Sequence, residues 1–80
     1  MDLNELKEYF QQGREIEFSL HGKPYFMGPK HRIPYQYYIY DETEKESVFC
    51  GIIEEVLAFS FPGGFTLGEN LDEFTFEFIL

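Results

Sequence analysis

Eighty residues make one small domain, and 20 % of them are aromatic: ten Phe and six Tyr, with no Trp. A formal net charge of -9 at pH 7 argues against nucleic acid or an anionic membrane as a partner of the whole surface. The single cysteine, Cys50, excludes an intrachain disulfide, and no apolar run approaches the roughly 20 residues of a membrane-spanning helix.

In chain order, DLNELKEYFQQG places Leu3, Leu6 and Phe10 at helical spacing, flanked by Tyr9. Asp2 or Asn4 can cap the start and Gly13 can stop the end, so the spacing predicts an amphipathic helix of two to three turns. REIEFSL then alternates Ile16, Phe18 and Leu20 with Glu15, Glu17 and Ser19, the pattern of a half-buried strand. His21-Gly22 is the turn of a hairpin whose second strand opens at Tyr25, Phe26 and Met27.

GPKHRIP, punctuated by Gly28, Pro29 and Pro34, reads as a connection. YQYYIY is a third strand with Tyr35, Tyr37 and Ile39 on one face and Gln36, Tyr38 and Tyr40 on the other. A solvated turn and the short strand SVFC follow. GIIEEVLAF reads as a second short helix, broken by FPGG, and Thr66 with Glu69 has capping-box spacing. FTFEFIL ends the chain as a strand alternating Phe74, Phe76, Phe78 and Leu80 against Thr75, Glu77 and Ile79.

The expected fold is therefore α+β: an N-terminal helix, an antiparallel sheet of three to five strands, and a short second helix packed on one face. Residues 1–80 form a single small domain, with a core of Leu6, Phe10, Ile16, Phe18, Phe26, Ile39, Val56, Leu57 and Leu71.

Charge is unevenly placed. From Phe18 to Tyr40 there is no acid, only Lys23, Lys30 and Arg32; the rest of the chain sets Lys7, Arg14 and Lys45 against 15 acids. Lys30, His31 and Arg32 beside Tyr38 and Tyr40 could hold a phosphate while a ring stacks on a base. The ordinary alternative is a solvated basic turn leading into a strand, and direct nucleic-acid binding is not expected at -9.

No catalytic set is expected. A nucleophilic Cys50 would need His21 or His31 and an orienting Asp such as Asp41, and nothing in the sequence brings them together. His21, His31 and Cys50 are too widely spaced for a zinc finger or ribbon, so neither a metal nor a cofactor is expected. Adjacent carboxylates such as Glu54-Glu55 read as a solvated face rather than an acid–base pair.

The reading that remains is a non-enzymatic, acidic protein-interaction module, with a nucleic-acid mimic as one version. Glu42, Glu44, Glu46, Glu54 and Glu55 would contact a basic protein partner. The alternative is a small phosphate- or nucleotide-binding domain built on Lys30 to Arg32. The terminal strand also offers an edge for a homodimer. Met1 to Glu5 lacks the basic and apolar segments of a signal peptide, so a cytoplasmic location without membrane contact is expected.

EIEFSLHGKPYF, EEVLAF and TLGENLDEF together resemble small uncharacterised proteins of Gram-positive bacteria and their phages and mobile elements. The matching positions are Glu15 to Phe18, Gly22, Lys23 and Tyr25, then Glu54 to Leu57, then Thr66, Leu67, Glu69, Asp72 and Glu73. The tyrosine-rich middle and the phenylalanine tail depart from the pattern. The resemblance implies a cytoplasmic accessory protein of unassigned function, from such bacteria or their phages and mobile elements, and carries no catalytic residues.

Overall fold

The computed structural model describes the backbone of residues 1–32 and 35–80, and the side chains of 1–30 and 35–80. Its elements are helix α1 (Leu3–Gln11), strands β1 (Ile16–Leu20), β2 (Lys23–Arg32), β3 (Tyr35–Asp41) and β4 (Glu46–Ile52), helix α2 (Ile53–Ala58), a 3-10 turn (Leu71–Glu73) and strand β5 (Phe74–Ile79). The strands form one five-stranded antiparallel sheet in the order β4-β3-β2-β1-β5, as the α+β expectation requires.

Helix α1 is closed at both ends by its own sequence. Asp2 Oδ1 accepts the Glu5 amide at 2.9 Å, and Glu5 Oε1 accepts the Asp2 amide at 3.2 Å, which assigns the cap to Asp2. At the far end Gly13 adopts φ +72°, with Gly13 N donating to Phe10 O and Arg14 N to Tyr9 O, the Schellman pattern. The buried Tyr37 ring packs edge-on against Phe10, and its hydroxyl donates to Arg14 O at 2.9 Å. That bond pins the end of α1 to the centre of the sheet. Burial, reinforced by neighbouring Tyr35 and Glu15, pushes the Tyr37 phenol well above the usual tyrosine range.

The His21-Gly22 turn has two residues, both at positive φ, and sets Leu20 opposite Lys23. Residues paired across a ladder share a face, so Lys23, Tyr25 and Met27 join Ile16, Phe18 and Leu20 on the covered side. Phe26 therefore lies on the opposite face, half-buried, and does not belong to the core where the sequence reading placed it. Phe18 is the hub of that core, within ring contact of Tyr25, Phe61, Phe74 and Phe76. Val56 of α2 and Phe61, Leu67 and Phe74 complete it, while Leu57 and Leu71 pack only at its margin.

Two further expectations are corrected. The segment from Gly28 to Arg32 is the end of β2 rather than a connection. Strand β1 pairs with β2 only from Ile16↔Met27 onward, and a register shift lies between Pro29 and His31, so the missing proline N–H interrupts no continuous ladder. In β5 a second shift separates Phe18↔Phe76 from Glu17↔Phe78. The extra residue turns Phe78 to the open face and brings Ile79 opposite Ile16, which breaks the expected Phe alternation.

Candidate interaction surface

Among the described residues the helices and core loops pack on one side of the sheet, and the register gives the occupants of the other. Across its middle run Phe78, Glu17, Phe26, Tyr40 and Ser47; the next row holds Gly28, Tyr38 and Cys50, and Glu15 and Leu80 (its amide bonded to Glu15 O) continue the alternation just outside β1 and β5. Phe78 and Leu80 are 60 % and 62 % exposed, whereas Phe26, Tyr38 and Tyr40 are half-buried among their neighbours. Tyr38 leans over Gly28, its hydroxyl 3.4 Å from where a side chain there would begin. Burial first, and then the charge of Glu15, holds the Tyr38 phenol above its ordinary range.

The phosphate-binding candidates divide. Tyr38 and Tyr40 lie together on this open face, and Lys30 is exposed at the end of β2, inside the register shift. The side chains of His31 and Arg32 lie outside the described residues. The tyrosines share their face with Glu15 and Glu17, carboxylates that repel a phosphate.

The acidic candidates also divide. Glu42 and Glu44 lie in the β3–β4 turn and Glu46 opens β4, while Glu54 and Glu55 stand in the first turn of α2 after β4 ends. A strand of seven residues separates the two groups by roughly 20 Å. All five are exposed, but Glu55 is also structural, its Oε1 accepting the Ile52 amide at 3.0 Å.

Asp41, buried at the end of β3, is held below the usual carboxylate range, first by the Glu44 amide and also by Lys23 and the Thr43 amide. Lys23 Nζ lies 3.0 Å from Asp41 Oδ2, and that contact raises the Lys23 pKa. Beside this pair is an open cavity of about 350 Å³ lined by Tyr25, Asp41, Val48, Phe59, Ser60, Phe61 and Pro62. Asp41 already has its partners there, so the cavity presents aromatic wall rather than an available charge.

His21 Nε2 lies 2.8 Å from Glu73 Oε1, and His21 meets Phe65 edge-on. Cys50 is on β4, separated from the β1–β2 turn by β3 and β2, so His21 and Cys50 are not brought together. Among the described residues no three His, Cys, Asp or Glu side chains cluster as metal ligands. No described helix is long and apolar enough to cross a membrane. Strand β5 is an edge strand, as is β4.

The sequence reading missed Glu15, Glu17, Phe26 and Phe78 as surface candidates. Alternation in β1 could have found the two glutamates; Phe26 needed the turn parity and Phe78 the irregular register. No protein-family model, curated protein or solved structure matches the chain.

Proposed function

We propose that the chain is a non-enzymatic, acidic protein-interaction module that engages a basic protein in the cytoplasm. The carrying observation is the exposed carboxylates at both ends of the edge strand β4: Glu42, Glu44 and Glu46 at one, Glu54 and Glu55 at the other. Such a field speeds encounter with a basic surface and repels nucleic acid. A nucleic-acid mimic occupying the partner's own nucleic-acid site is one version, in keeping with the phage and mobile-element sources that the sequence resemblance includes.

The test is affinity capture from host lysate, with and without nuclease, using the wild type and a Glu42→Lys, Glu44→Lys, Glu46→Lys variant. A basic protein retained after nuclease and lost with the variant is the expected result. Capture that disappears with nuclease would instead favour anion binding near Lys30. Retention unchanged by the three reversals would end the role of this acidic group.

A further inference from the structure

This inference rests on the proposed engagement of a basic protein and names the surface and side-chain chemistry involved. We infer that the open face of the sheet, centred on Glu17 between Phe26 and Phe78, receives arginine side chains of that partner.

The solvated face of an antiparallel sheet ordinarily carries polar residues at alternate positions. Here Glu17 of β1 and Glu15 just before it are the carboxylates at the centre of the face; neighbouring β2 presents Phe26, with Tyr38 of β3 beyond it, and β5 presents Phe78 followed by Leu80. The result is a carboxylate row between two apolar ridges. Adjacent strands lie about 4.8 Å apart, so Phe26 and Phe78 stand roughly 10 Å from each other across Glu17. A guanidinium can then lie against a ring within the roughly 6 Å reach of a cation–π contact while pairing with the Glu17 carboxylate. Its planar fork suits both contacts at once, which a lysine ammonium does not.

Beside it Glu15 lies near Tyr38, whose ring covers the side-chain-free Gly28 and forms the wall. The carboxylates of Glu15 and Glu17 make this platform negative, which favours a cation over a phosphate.

Size and charge decide between occupants. Five strands by about five residues give a footprint of roughly 24 by 17 Å, about half the 800 Å² per partner of a standard interface. A second copy would also set Glu15 and Glu17 against the same carboxylates. One basic segment of a partner fits the face; a stable homodimer through it does not.

The test is an amide NMR titration of the full chain with a peptide of about eight residues alternating arginine and serine, which spans the sheet. A lysine twin is titrated alongside. We expect shifts at Glu15, Glu17, Phe26, Tyr38 and Phe78, roughly tenfold weaker binding by Glu17→Gln, severalfold weaker binding by Phe78→Ser, and a weaker lysine twin. Phe78 is exposed and Glu17 half-buried, and unchanged spectra of the free variants establish that they fold. Shifts confined to Glu42–Glu46 and Glu54–Glu55 would overturn the inference and leave the proposed function standing. Equal binding by the lysine twin and by Glu17→Gln would overturn it as well. No binding by either peptide would overturn both.

Discussion

Replacing Tyr37 with phenylalanine isolates the hydroxyl that ties the C-terminal end of helix α1 to the sheet. The buried ring stays in place against Phe10, so no cavity opens and only the hydroxyl is lost. That hydroxyl donates to Arg14 O at 2.9 Å, with Phe10 O and Tyr9 O farther away at 3.3 and 3.4 Å. The latter two carbonyls retain the amides of Gly13 and Arg14, so the Arg14 carbonyl bears the loss. Leaving such an acceptor unpaired costs about 1–2 kcal/mol. For a domain of this length each kcal/mol shifts the melting temperature by roughly 4–8 °C, so Tyr37→Phe should melt roughly 5–15 °C below the wild type. Circular dichroism in heat and in urea reads the change, and the urea m-value should not move because the exposed surface is the same. A melting temperature within about 1 °C of wild type would refute the reasoning, since the bond would then contribute nothing.

Gly13→Ala should be more damaging than an ordinary surface change, because φ is +72° and a Cβ there would collide with the Tyr35 hydroxyl. We expect at least about 1–2 kcal/mol of lost stability, checked by urea unfolding; a neutral result would contradict the Schellman assignment. Asp41 has a depressed folded pKa, so its contribution is complete above the ordinary aspartate value of 3.8 and is lost as pH falls through the folded value. The stability gap between wild type and Asp41→Asn should therefore close as pH falls from about 5 to 2, and a gap constant with pH would contradict the ion pairing with Lys23.

Local chemistry made much of the fold readable. Asp2 with Glu5, and Gly13 after Phe10, close α1 through nearest-neighbour hydrogen bonds, and these depend on nothing distant. The faces of β3 followed from alternation alone, with Tyr37 and Ile39 buried and Tyr38 and Tyr40 turned away. The failures lie where parity depends on pairing. Phe26 looks like core until the two-residue turn places Lys23 opposite Leu20, and then Tyr25 and Met27 take the inner positions.

Phe78 continues the alternation of Phe74 and Phe76 until the shifted register turns it outward, and no residue type in FTFEFIL announces that shift. Gly28 and Pro29 read as a loop because a proline cannot donate to ladders on both sides, yet pairing with β1 stops at Met27 and only β3 carries the strand on, through Gly28↔Tyr38 and Pro29↔Tyr37. The candidate surface inherits these errors. Its glutamates were visible in the pattern of β1, whereas the rings flanking Glu17 come from the two strands whose phase was misread.

The measurement that bears most directly on the acidic-module reading is a pair of calorimetric titrations of the intact chain at physiological salt. One delivers the arginine-bearing peptide and the other a single-stranded oligonucleotide. The reading predicts saturable binding of the peptide that weakens as salt rises, with no heat from the oligonucleotide. Saturable binding of the oligonucleotide with none of the peptide would contradict it and return attention to Lys30 and the tyrosines of β3.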